Sequence, residues 1–277
     1  MGRPIAVNLL NAGYQVSVYA RRAATLSPLC ALGARAYDSP RELAQHCNVI
    51  ITNVSDTSDV EAVILGPQGV LEGAHPGSLV IDMSTISPSV TRTLALRLKE
   101  RGVDMLDAPV SGGTQGAAEG TLSIMVGGDV ALFEQALPLL QRIGKNIVYI
   151  GAHGAGQVAK ACNQLIVAQT MTAIAEAYIL AKASGVDPAQ VRAALMGGFA
   201  GSRILEVHGE RMLSGNFTPG FKTRLHQKDL AIVMQQAAAL GLDLAATQLS
   251  QHYLESVTDG ELDSAAIYQA IERAQGI

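Results

Sequence analysis

Tryptophan is absent from the 277 residues, phenylalanine occurs only four times and cysteine three times. Without tryptophan, folding has to be followed by another probe. The three cysteines, Cys30, Cys47 and Cys162, are odd in number and far apart, which speaks against a disulfide framework or a cysteine zinc site. The six histidines form no pair at ligand spacing on a helix face, so no metal is expected. Charge is sparse as well. Only 16% of residues are charged, the formal net charge is −4 and no long run of Lys and Arg occurs. A nucleic-acid partner therefore has no electrostatic basis. No signal-peptide pattern and no membrane span free of polar residues is found. The chain is expected to be reduced and cytoplasmic, with small molecules or copies of itself as partners and no membrane.

What is present is apolar periodicity. With 48% hydrophobic residues, the chain is long enough for two domains of ordinary size. Met1 to Ala12 reads as a helix, with Pro4 in its first turn, Ile5, Leu9 and Leu10 as an apolar stripe, and Gly13 as its end. Gln15 to Tyr19, Val49 to Asn53, Leu79 to Asp82 and Met105 to Ala108 read as strands, alternating with helical stretches such as Ala23 to Leu32. This predicts a doubly wound, Rossmann-like α/β domain over residues 1–150, with ligands at the carboxyl ends of its strands. Beyond it the strands stop. Gly151, Gly154 and Gly156 precede 28 residues without Pro or Gly, which read as one long helix joining the domains. Further helical segments at Pro188–Met196, Ile204–Leu213, Gln227–Leu240, Leu244–Val257 and Ser264–Ala274 make residues 151–277 an all-α domain. Its apolar faces suit self-association as a homodimer or homotetramer.

A dinucleotide fold normally opens on a strand and a Gly-x-Gly-x-x-Gly turn whose amides meet the pyrophosphate at a helix N-terminus. Here only Met1-Gly2 matches the end of such a turn. The strands near Val16 and Val49 are therefore expected to lack the strand between them, either because the natural chain starts earlier or because another segment or subunit fills the slot.

Candidate site residues cluster after the strands. Ala20-Arg21-Arg22 places arginine where NADP's 2′-phosphate would lie and where an acidic residue would favour NAD; a solvated arginine pair is the plain alternative. Asn53-Val54-Ser55 and Ser84-Thr85 put small polar side chains where a ribose or nicotinamide would sit. Ser87, before Pro88, also serves as a helix cap. In Asp107-Ala-Pro-Val-Ser111-Gly112-Gly113, paired glycines expose amides that can grip a carboxylate, or simply make a turn. Lys160 shares a helix face with Asn163 and Gln164 among apolar neighbours. Burial lowers a lysine's pKa towards neutrality, as a proton donor requires; by its pattern alone such a lysine reads more readily as one that snorkels to water.

In this order, Asp107–Gly113, Gly120-Thr-Leu-Ser-Ile-Met-Val-Gly-Gly128, the Lys160 helix and Leu225-His-Gln-Lys228-Asp-Leu230 resemble the β-hydroxyacid dehydrogenase family. Met196 to Arg211 is similar to the branch that reduces 2-hydroxy-3-oxopropanoate (tartronate semialdehyde). The resemblance implies NAD(P)H-dependent reduction of a semialdehyde to a hydroxy acid, with Lys160 as proton donor and acceptor. It implies that Ser111, Gly112 and Gly113 hold the substrate carboxylate, that Lys228 serves substrate and cofactor, and that Thr85 contacts the cofactor. The family often has asparagine four residues after the lysine, whereas Gln164 stands there and Asn163 precedes it, so which amide orients substrate is open. The rival substrates are 3-hydroxyisobutyrate and succinic semialdehyde. A contrasting expectation is a catalytically silent fragment that keeps the assembly domain.

Overall fold

The computed structural model describes residues 1–276, which divide into two compact units, residues 1–160 and residue 161 onward. In the first unit α1 (Gly2–Asn11) buries Ile5 and Leu9, one turn apart on the stripe that the sequence predicts. β1 (Ser17–Val18) is shorter than expected and pairs with β2 (Arg35–Ala36) in a two-stranded parallel sheet of its own. Between them the stretch expected as one helix is broken into a 3-10 turn, Ala23–Thr25, and α2 (Ser27–Cys30). Pro28 explains the break: it has no amide to donate and starts a new helix instead.

The chain continues through α3 (Pro40–Ala44), β3 (Val49–Thr52), α4 (Thr57–Leu65), α5 (Val70–Gly73), β4 (Leu79–Asp82), α6 (Pro88–Lys99), β5 (Asp104–Asp107) and β6 (Val110–Ser111). Then follow α7 (Gly113–Glu119), β7 (Leu122–Gly128), α8 (Val130–Leu140) and β8 (Gly144–Gly151). β3, β4 and β5 are parallel neighbours, and β7 joins β5 and β6 antiparallel and β8 parallel. Among the described residues no strand links β1 to this six-stranded sheet. Side chains alternate between two cores: Leu79, Ile81 and Leu106 face one, with Ile5 and Leu140, while Val80 and Met105 face the other, with Ile64 and Leu98. Burial on both faces is what makes these parallel strands continuous apolar runs. Their register aligns Thr52, Asp82 and Asp107 in one row at the carboxyl ends.

α9 (Ala155–Ala183) begins in the first unit and continues into the second. By length and composition alone it could cross a membrane, but its Ala168, Met171, Ala175 and Tyr178 are fully buried in the second unit's core. That unit adds α10 (Pro188–Met196), α11 (Arg203–Ser214), α12 (Thr223–Ala239), α13 (Ala245–Glu255) and α14 (Ile267–Ala274), the last preceded by a 3-10 turn at Ser264–Ala266. Leu205, Leu230, Leu254 and Ile271 complete the core. Asp263, which is fully buried, ties the segment before α12 to this core, accepting from the amides of Gly220 at 2.9 Å, Phe221 at 3.1 Å and Ala265 at 3.1 Å. It also pairs with Arg211 at 3.2 Å and faces His208 at 3.4 Å. Burial pushes its carboxyl up, but the nearby His208 and the bonds from these amides outweigh that and hold it at about 2.

Candidate active site

The polar row at the strand ends is tightly hydrogen-bonded. Thr52 Oγ1 donates to Asp82 Oδ1 at 2.7 Å and the Ser84 amide to the same oxygen at 3.2 Å. Asp82 is fully buried and its Oδ2 has no hydrogen-bond partner. Burial pushes its carboxyl up to about 6 against the hydrogen bonds from Ser84 and Thr52, and the nearby Asp107 adds to the rise. Ser84 Oγ accepts from the Val54 amide at 2.9 Å, and Asn53 Nδ2 donates to the Met83 carbonyl at 3.2 Å. The loops after β3 and β4 are thus stitched together, with Asn53, Val54 and Thr85 half-buried and Ser55 exposed.

Asp107, at the end of β5, holds the start of α9. Its Oδ1 accepts from the Gly154 amide at 2.8 Å and its Oδ2 from the Gln157 amide at 3.1 Å. Burial raises its pKa and these amides pull it back; a carboxylate here also complements the positive end of the helix. The approach is too close for side chains. A Cβ at Gly127 would lie 2.7 Å from Asp107 Oδ1, and one at Gly156 would lie 2.3 Å from the Met125 carbonyl oxygen. Gln157, 1% exposed, spans to the β4 loop: its Nε2 donates to the Ser84 carbonyl at 2.8 Å and its Oε1 accepts from the Ile86 amide at 3.1 Å. Lys160, 7% exposed, follows one helical turn later, on the face that Gln157 shares.

Ser111 ends β6 half-buried, and the exposed Gly112 and Gly113 begin α7 with φ of 129° and 64°. Positive φ favours glycine there, and the amides at this helix start are donors that an anion can use.

Near β1 and β2, a cavity of about 550 Å³ is lined by Tyr19, Arg21, Ser27, Tyr37 and Asp38, among others, a size that suits part of a dinucleotide. Arg21 pairs with Asp59 at 3.0 Å, and the exposed Arg22 precedes the 3-10 turn. Met1 and Gly2 start α1, and a Cβ at Gly2 would lie 3.8 Å from Asn53 Oδ1. Groups that suit a dinucleotide therefore lie in two places, the cavity with Arg21 beside β1 and β2 and the half-buried Asn53 and Thr85 loops after β3 and β4, while of the glycine turn that would meet the pyrophosphate only Met1 and Gly2 are present.

In the second unit, Asn163 Nδ2 donates to Gln164 Oε1 at 2.7 Å, and Gln164 Nε2 donates to Asp229 Oδ2 at 2.5 Å. Lys228 Nζ lies 2.7 Å from Asp229 Oδ1. Asp229, 3% exposed, therefore joins two of the predicted site residues, Gln164 and Lys228, and reaches Asn163 only through Gln164. Sequence reasoning passed over Asp229, Asp107 and Gln157 as site residues. A charged residue closing an apolar strand, or buried beside a candidate lysine, is the signal that marks the two carboxylates.

Comparison with known proteins shows the family. A family model for the NAD-binding domain of 6-phosphogluconate dehydrogenase matches residues 1–151, and one for the NAD-binding of NADP-dependent 3-hydroxyisobutyrate dehydrogenase matches residues 154–272. The chain therefore belongs to the β-hydroxyacid dehydrogenase family of nicotinamide-dinucleotide oxidoreductases. It is 47% identical to 2-hydroxy-3-oxopropionate reductase of Escherichia coli (strain K12), over 98% of this chain and 94% of that one. It is 36% identical to a 3-hydroxyisobutyrate dehydrogenase of Pseudomonas aeruginosa, over 87% of this chain and 82% of that one. A solved structure of Mycobacterium tuberculosis 3-hydroxyisobutyrate dehydrogenase with L-serine superposes with a TM-score of 0.90, at 31% identity, covering 98% of this chain and 95% of that one.

Proposed function

We propose that the chain reduces 2-hydroxy-3-oxopropanoate to glycerate, reversibly, with NADP preferred over NAD. The observation that carries this reading is Lys160: a buried lysine whose helix is anchored by its first turn to the loop after β4 and the end of β5. The dinucleotide, when bound, supplies the hydride for the aldehyde carbon. As the carbonyl oxygen gains charge, the Lys160 ammonium donates a proton to it; in the reverse direction the amine takes the hydroxyl proton. The Ser111 hydroxyl and the amides of Gly112 and Gly113 hold the substrate carboxylate, and Lys228 adds positive charge for an acidic substrate. Asp229 keeps Lys228 and Gln164 in place. Arg21 and Arg22, Met1 and Gly2, the Asn53-Val54-Ser55 loop and Thr85 hold the dinucleotide. The arginines at the end of β1 support the NADP preference, since a guanidinium fork suits a phosphate.

The 47% identity to the Escherichia coli reductase supports this substrate over 3-hydroxyisobutyrate or succinic semialdehyde. Initial rates with the three corresponding aldehydes and either reduced cofactor test it. The reading predicts the highest kcat/KM with tartronate semialdehyde; a higher value with another aldehyde would replace the substrate, and equal rates with Lys160→Ala would remove the mechanism.

A further inference from the structure

Gln157 takes no part in the chemistry proposed above, yet its carboxamide is fully buried and used at both ends. It donates to the Ser84 carbonyl at 2.8 Å and accepts from the Ile86 amide at 3.1 Å. These two groups flank Thr85. Gln157's own amide donates to Asp107 at 3.1 Å, so one residue ties the β4 loop, the end of β5 and the first turn of α9 into a single frame. An interior glutamine is not needed to form a helix. A leucine would fill the space with no polar group to satisfy, so the demand for a carboxamide comes from the two loop groups it bridges.

We infer that Gln157 is a positioning residue, which sets the distance between the Thr85 loop and Lys160 one turn further along α9. The inference rests on Lys160 as proton donor and on the Thr85 loop as part of the dinucleotide site. Hydride and proton must reach adjacent atoms of one carbonyl, so a clamp that fixes their two sources in register acts on the chemical step rather than on binding. A misplacement of about 1 Å costs on the order of a hundredfold in rate.

The full chain carrying Gln157→Leu or Gln157→Glu, with wild type and Lys160→Ala as references, tests this. In the cofactor-free protein, hydrogen exchange of the Ile86 amide is expected to speed up about tenfold or more in Gln157→Leu. NADPH affinity and KM are expected to stay within about threefold, while kcat falls about 10- to 100-fold. Gln157→Glu gives a readout that loss of packing would not produce. As a neutral acid it keeps one donor and one acceptor; as a carboxylate it loses the donor towards Ser84. The site is 1% exposed, and burial raises the pKa of an acid placed there, as it does for Asp82 on β4 and Asp107 on β5, whose charges add to the rise, while His153 when protonated, the Lys160 ammonium and the Arg92 guanidinium near Gly154 oppose it. Its kcat relative to wild type should therefore rise as pH falls from about 8 to about 6.

A Gln157→Leu protein with kcat within about twofold of wild type overturns the inference. So does a Gln157→Glu profile parallel to wild type, which decides the matter alone if Gln157→Leu does not fold. If Lys160→Ala keeps wild-type turnover, the proton-donor reading fails and this inference with it. If Lys160→Ala is inactive and Gln157→Leu is not, only the positioning role fails.

Discussion

Asp82 is predicted to cost the first unit stability at neutral pH, and the cost can be removed by one substitution. Its carboxyl is raised from 3.8 to about 6, first by burial and with a smaller contribution from Asp107, while Oδ2 has no partner. A group raised in the folded state binds its proton more tightly there than in the unfolded chain. Its contribution is therefore fully present below pH 3.8 and is lost as pH rises through about 6. At about 1.4 kcal/mol per unit, the loss on ionisation is on the order of 3 kcal/mol. Asp82→Asn keeps an oxygen for Thr52 and Ser84 and cannot ionise. Urea unfolding followed by far-ultraviolet circular dichroism, which needs no tryptophan, measures both proteins from about pH 4 to about pH 7.5. Any fixed effect of the amide's own Nδ2 shifts the whole curve. The pH-dependent part decides: the stability of Asp82→Asn relative to wild type should climb by about 2.5 kcal/mol across this window, the rest of the loss lying below about pH 4. Parallel curves would refute the reasoning, because the carboxyl would then titrate alike in the folded and unfolded chains.

Three other perturbations follow from the same geometry. Asp263, held at about 2, stabilises the second unit above pH 3.8 and loses that contribution as pH falls through about 2, so Asp263→Asn should lower stability at pH 7 by roughly 2 kcal/mol, with a much smaller difference near pH 2; equal stability at pH 7 would contradict this. Gly156→Ala places a Cβ 2.3 Å from the Met125 carbonyl oxygen and should destabilise by about 3 kcal/mol or more and displace Lys160's turn, seen as loss of turnover and a lower melting temperature; an unchanged melting temperature would count against the packing described. Arg21→Ala should weaken NADPH about tenfold while leaving NADH nearly unaffected, read by the bound nicotinamide's fluorescence; equal losses for both would assign Arg21 a structural role through Asp59.

The parts of this protein legible in its sequence are those written in short-range periodicity and in breakers. β3, β4 and β5 appear where apolar runs end in Thr or Asp, and α9 follows the stretch free of Gly and Pro but starts two residues before it, taking in Gly156. The Pro28 break is also local, but the apolar spacing around it reads as one helix. What periodicity cannot show is contact across long separations. Asp107 meets α9 about fifty residues away, and Gln164 meets Asp229 across sixty-five. The antiparallel β6 and β7 are equally hidden, because β6 is only two residues long and takes its pairing from the sheet beside it. The candidate residues themselves are visible as types; which polar groups hold them in place is decided by tertiary hydrogen bonding.

The central claim is that Lys160 is the proton donor of a dinucleotide-dependent semialdehyde reduction. The most direct measurement titrates wild type and Lys160→Ala with NADPH and NADH by nicotinamide fluorescence, then follows turnover of tartronate semialdehyde by both. Both proteins should bind cofactor saturably within about threefold of each other, and Lys160→Ala should lose at least about a hundredfold in kcat. Binding by both with unchanged kcat, or no binding of either cofactor by wild type, would contradict the claim.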